Sequence, residues 1–115
     1  MKAIIYHNPN CGTSRKVLAI LEEAGAELTV VEYLKASPSR DELKRIYARA
    51  GMTVRDGLRA SEPLAGALGL SGEGADETRI LDAMMAHPIL INRPLVETER
   101  GAALCRPQEK VRDLL

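Results

Sequence analysis

"KAIIYHNPNCGTSRKVLAILEEAGAELTVVEY", Lys2 to Tyr33, decides the fold. "KAIIY" is a short apolar run ended by "HNPN", the pattern of a buried strand. A helix follows, with Val17, Ile20, Leu21 and Ala24 spaced along one face and Gly25 as its stop. "LTVVEY", Leu28 to Tyr33, is rich in β-branched residues and predicts a second strand. Strand, helix and strand within so short a span predict a parallel, right-handed βαβ unit.

Working outward, "SPSRDELKRIYARAG" predicts a helix. Ser39 and Glu42 have capping-box spacing, Leu43, Ile46, Tyr47 and Ala50 form the apolar face, and Gly51 closes it. "TVRDGLRASEPLAGALGL" predicts two short helical pieces broken near Ser61 and Pro63. "SGEGAD" predicts a loop, and "ADETRILDAMMAHP" a further helix with Leu81, Met84 and Met85 inward and His87 at its close. The region 39–86 therefore reads as all helical. The last third changes period. Strands are predicted near Leu95–Thr98 and Ala102–Cys105, with "ERG" as the tight turn of a hairpin. Pro107 then opens a short helix whose apolar face is Val111, Leu114 and Leu115. The order is βαβ, a helical insertion over about 39–86, then ββα. We expect an α/β chain of one domain over 1–115, a thioredoxin-like fold with a four-stranded mixed sheet covered by helices. In that fold the reactive cysteine lies after the first strand, where Cys11 stands.

Composition narrows the function. The 115 residues carry 16 basic and 16 acidic side chains, so the formal net charge is zero. A whole-molecule field that gathers nucleic acid or anionic membrane is not expected, although a local basic pocket is allowed. Two cysteines do not make a disulfide scaffold, and with only His7 and His87 they do not suggest a zinc site. The start "MKAIIYHNPN" is too short in apolar residues for a signal peptide, and no stretch approaches a membrane span. A cytoplasmic location with reduced thiols is the expectation.

Cys11 at a helix start would gain from the free N–H groups of Gly12, Thr13 and Ser14 and from the helix dipole, both of which favour a thiolate. Gly12 leaves room for an approaching group. His7 could donate a hydrogen bond or place positive charge near the sulfur, and Arg15 adds charge in the first turn. The plainer alternative is a buried structural cysteine. The motif Cys11-Gly12-Thr13-Ser14 is a C-x-x-S, which cannot close a disulfide on itself. Cys105 or an outside thiol such as glutathione must resolve any oxidised Cys11, and Cys105 reads more simply as a small buried strand residue. Arg59, Arg93 and Arg106 lie far apart in sequence, two of them in "NRP" and "CRP" at the ends of the hairpin. In a thioredoxin-like fold Pro94 is the candidate cis proline and Arg93 would face Cys11. Several guanidinium groups around a thiolate describe a site for a tetrahedral oxyanion. Three unrelated surface arginines are the competing explanation.

"YHNPNCGTSRKVL", "YLKASPSRDELKRI", "VRDGLR", "HPILINRPLVET" and "LCRPQEKV" together resemble the glutaredoxin-dependent arsenate reductases of the ArsC family, in register from Ile4 to about Leu114. The resemblance implies Cys11 as catalytic nucleophile and His7 as the residue that helps lower its pKa. It implies Arg59, Arg93 and Arg106 as oxyanion-binding groups and Pro94 as the cis proline. Gly12, Ser14 and Arg15 support the loop, and Cys105 is not required. It further implies arsenate as substrate, glutathione as cosubstrate and glutaredoxin as protein partner, with no bound cofactor and no metal. Some members extend beyond the last short helix, where this sequence ends at Leu115; we expect that to affect packing or partner surface, not chemistry. A monothiol, glutathione-dependent disulfide oxidoreductase of the same fold is the first alternative. A redox-linked regulatory binding module is the second, disfavoured because such regulators typically carry a C-x-x-C.

Overall fold

The computed structural model describes residues 1–72 and 74–115. The backbone divides into two compact units, one formed by Met1–Ala36 with Arg93–Leu115 and the other by Ser37–Asn92.

The first unit holds β1 (Lys2–His7), α1 (Gly12–Glu23), β2 (Glu27–Glu32), β3 (Leu95–Thr98), β4 (Gly101–Leu104) and a three-ten helix over Gln108–Leu114. The sheet order is β2-β1-β3-β4. β1 runs parallel to β2, with Lys2 opposite Glu27 and His7 opposite Glu32. β3 is antiparallel to both β1 and β4. This is the expected mixed four-stranded sheet of a thioredoxin-like fold. The parallel pair needs a crossover, and α1 supplies it. The hairpin turn is tighter than "ERG" suggested, because Gly101 already pairs with Thr98 and leaves only Glu99 and Arg100 in the turn.

One apolar cluster unites Ala3 and Ile5 of β1, Val17 and Leu21 of α1, Val96 of β3, and Cys105, Val111 and Leu114. The buried face of α1 is Ser14, Val17 and Leu21. Ala24, expected on that face, is exposed as the helix cap, and Ile20 is only half-buried. Gly25 follows with φ +74°, a left-handed conformation that ends the helix at no steric cost. Pro107 does not open the last helix as expected. It stands one residue before it in extended conformation, and the helix is three-ten in character. Thr98 ties that helix to the sheet by donating its Oγ1 hydrogen to the Leu114 carbonyl at 2.8 Å.

The second unit holds α2 (Arg40–Arg49), a three-ten turn over Arg55–Gly57, α3 (Pro63–Ala67), α4 (Glu77–Ala86) and a three-ten turn over Pro88–Leu90. Ser39 caps α2 by accepting the Glu42 N–H at 3.1 Å, and Asp76 caps α4 by accepting the Arg79 N–H at 2.8 Å. α4 buries Ile80, Leu81 and Met84. Met85, expected inward, is half-buried, because the apolar stripe starts one position earlier at Ile80. His87 is the C-cap of α4. One antiparallel bridge, Leu58 with Ile91, adds extended structure to a region expected to be wholly helical. Of the loop expected over 71–76, Glu73 lies outside the described residues.

Candidate active site

The loop between β1 and α1 is organised by its own polar groups. The Asn8 side-chain oxygen accepts the Asn10 N–H at 2.9 Å, and the Asn8 carbonyl accepts the Cys11 N–H at 3.0 Å. The Asn8 N–H in turn reaches Ser14 Oγ at 3.1 Å. His7 Nδ1 lies 2.6 Å from the same Oγ. Asn8, His7 and Ser14 are all buried, so each of these bonds replaces lost water contacts. Arg15 closes the loop from outside by donating Nη1 to the Pro9 carbonyl at 2.9 Å. The chain is thereby turned so that Cys11 is the N-cap of α1, in extended conformation and without a side-chain cap hydrogen bond.

Cys11 is 9% exposed. Arg106 donates Nη1 to its Sγ at 3.5 Å and to the Arg93 carbonyl at 3.1 Å, so one guanidinium nitrogen ties the sulfur to the segment that carries the second arginine. Burial of the sulfur pushes its pKa up. The Ser14 backbone N–H, the side-chain hydrogen bonds of Arg93 and Arg106 and the charge of Arg93 outweigh it, and the thiol falls from an ordinary 9.0 to about 7. Arg93 is itself buried, and the Arg93–Pro94 and Arg106–Pro107 peptides are both cis. Two cations and a helix start thus converge on one sulfur in a partly desolvated place, where their fields are strong and favour its anion.

The structure brings Cys11, Ser14, Arg93 and Arg106 together directly. His7 meets Ser14 rather than the sulfur. Burial lowers its pKa, the charge of Glu32 raises it and that of Arg15 lowers it, with a net downward shift that favours the neutral ring. Arg15 holds the loop and is not bonded to the sulfur. Gly12 is exposed, and a Cβ placed there would approach nothing nearer than Arg15 Nη2 at 3.8 Å, so packing does not demand a glycine. Arg59 belongs to the other unit. Its Nη1 donates to Asn92 Oδ1 at 3.2 Å and its N–H to the Leu90 carbonyl at 2.8 Å. Cys105 lies in the core of the first unit, fully buried, with its thiol pushed up to about 12 by that burial; the charge of Lys110 lowers it and that of Asp113 raises it. A thiol so protonated is a poor nucleophile.

Sequence reasoning passed over Asn8 and Asn92. The "NPN" turn ends the strand in sequence terms, and an Asn before Pro often folds its side chain onto the backbone two residues on. Among the described residues, no group of three His, Cys, Asp or Glu side chains is placed to hold a metal ion, and no helix is long and apolar enough to cross a membrane.

The same residues have relatives. The model of the ArsC family matches residues 6–114. A Rhizobium meliloti protein named arsenate reductase is 52% identical over 115 residues, which is all of this chain and 82% of that one. An Escherichia coli protein of the same name is 48% identical over 96% of this chain and 79% of its own length. A solved arsenate reductase from Vibrio cholerae superposes with a TM-score of 0.94 at 41% identity, covering 100% of this chain and 98% of that one. A match over nearly the whole chain, together with the sheet order and the cysteine at the start of α1, settles the family: the chain belongs to the ArsC family.

Proposed function

We propose that this protein reduces arsenate to arsenite, with Cys11 as nucleophile and glutathione and glutaredoxin as the source of electrons. The observation that carries the reading is the Cys11 sulfur bonded by Arg106, with Arg93 beside it and its pKa lowered to about 7. Arginine forks suit a tetrahedral oxyanion and also stabilise the sulfur anion that must attack it. Arg59 enters from the family pattern as a third cation.

In this mechanism the thiolate attacks arsenic. An arsenic–sulfur bond forms, an arsenic–oxygen bond breaks, and the oxygen leaves as water after protonation. Glutathione supplies a second sulfur. Its sulfur joins the Cys11 sulfur as a disulfide while the arsenic–sulfur bond breaks and leaves its electron pair on arsenic, which passes from the five-valent to the three-valent state. Glutaredoxin then removes the glutathione, arsenite is released, and Cys11 returns as a thiol. Each turnover consumes two thiol equivalents and leaves one disulfide. The chemistry is nucleophilic catalysis by an electrostatically activated sulfur, and thiols kept reduced by the cytoplasm would sustain it.

The test is arsenate-dependent NADPH consumption coupled through glutathione, glutaredoxin and glutathione reductase. Turnover should require arsenate and glutaredoxin and should vanish in Cys11→Ser. A protein with fully reduced thiols that gives no arsenate-dependent rate, yet reduces a small mixed disulfide rapidly, would replace this reading with the monothiol disulfide reductase.

A further inference from the structure

We infer that Asn92 is a positioning residue for Arg59, and that its neutrality keeps Arg59 available to an anion. The inference rests on the reading of Arg59 as an anion-binding group.

Arg59 is fixed at its backbone first. Its N–H donates to the Leu90 carbonyl at 2.8 Å, and the Asn92 N–H donates to the Gly57 carbonyl at 2.9 Å. Between them Leu58 and Ile91 form an antiparallel bridge. Residues 57–59 and 90–92 therefore lie side by side as a short ladder. Gly57 is pressed against the Tyr47 ring, so the ladder is backed by a buried aromatic side chain.

The side chain is fixed next, where Asn92 Oδ1 accepts from Arg59 Nη1 at 3.2 Å. The choice of acceptor matters. A carboxylate at this place would hold the guanidinium equally well and more strongly, but it would cancel its charge. An amide oxygen orients the fork and leaves the full positive charge. It also uses only part of a donor set that a tetrahedral oxyanion can share. A residue chosen only to stabilise the ladder would gain from being Asp. A residue chosen to present a cation must not be.

The experiment sets Asn92→Asp beside Arg59→Ala, the double variant and the unaltered protein. Arsenate KM and kcat, the thermal midpoint and the pH profile of Cys11 alkylation are read for each. Asn92→Asp keeps an acceptor oxygen, so it should melt at or above the unaltered protein. Its arsenate KM should rise about tenfold, with the effect in KM rather than kcat, because a carboxylate now sits on the cation. In the Arg59→Ala background the same change should add little. If Asn92→Asp does not fold, Asn92→Ala serves, with an expected rise of about threefold from one lost hydrogen bond. The inference is overturned if Arg59→Ala raises KM but Asn92→Asp stays within about twofold of the unaltered protein. It is overturned equally if Asn92→Asp acts as strongly without Arg59. If Arg59→Ala itself leaves KM unchanged, the anion-binding reading of Arg59 falls first and takes the inference with it.

Discussion

A single serine organises the loop that carries Cys11. Ser14 Oγ receives the Asn8 N–H while its other side meets His7 Nδ1, and its own backbone N–H is one of the groups that lower the Cys11 pKa. His7 touches Ser14 and not the sulfur, so any influence of His7 on Cys11 must pass through that serine. The place of Cys11 at the start of α1 was legible in sequence, because the strand run ends at "HNPN" and the helical period begins just after the cysteine. The serine's double task was not legible, since it depends on a buried contact across seven residues that no periodicity reports. The arginines divide in the same way. Arg93 and Arg106 flank a predicted hairpin, so topology could join them to Cys11; Arg59 stands two residues after Gly57 in an irregular segment, and its role as an anion-binding group came from the family resemblance. One residue-scale expectation concerns the thiolate itself. Iodoacetamide alkylation of Cys11 should follow a titration with its midpoint near 7, and Arg106→Ala should move that midpoint toward the ordinary 9.0. A midpoint that stays put would mean that Arg106 contributes nothing to the anion.

At the scale of elements, turn residues and caps govern the structure as much as apolar stripes do. The βαβ start was readable because a strand period, a helix period and a glycine stop follow one another without ambiguity. Ser39 announced α2 by its capping spacing, and the bond to the Glu42 N–H is made. The segment after Gly51 resisted reading, because short helical pieces carry too little periodicity and the Leu58–Ile91 bridge pairs residues far apart in sequence. Gly57 ends the three-ten turn of that segment, and its value is steric. A Cβ built there would lie 2.2 Å from Tyr47 Cζ. Gly57→Ala must therefore push back a buried aromatic ring, an overpacking cost of about 1–3 kcal/mol. Urea unfolding should show a lowered midpoint with an unchanged slope. Gly66→Ala is the matched control, since a Cβ at that helical position meets nothing within 4 Å. If the two substitutions prove equally tolerated, the Tyr47 ring is not rigidly held.

Across the whole molecule, the two cysteines impose opposite dependences of stability on pH. Cys11 has its folded pKa lowered from 9.0 to about 7. Between those values the unfolded chain still binds a proton that the native state has released, so stability rises with pH, is complete above about 9 and is lost as pH falls through about 7. Cys105 has its folded pKa raised from 9.0 to about 12. Above 9.0 the unfolded thiol ionises while the buried one cannot, so stability falls as pH climbs toward 12. His7, with its pKa lowered below 6.5, adds a rise only on the acid side of that value and leaves the alkaline window to the thiols. Denaturant titrations of the reduced protein in small pH steps should therefore trace a maximum near pH 9. Cys11→Ser should flatten the climb below it and Cys105→Ala the descent above it, each leaving the other limb in place. Since the formal net charge is zero, with 16 charges of each sign, general charge repulsion is small near neutrality and does not hide the climb. A climb that survives Cys11→Ser would show that the thiolate is no better solvated in the folded protein than in the unfolded one, and would remove the electrostatic basis of the nucleophile.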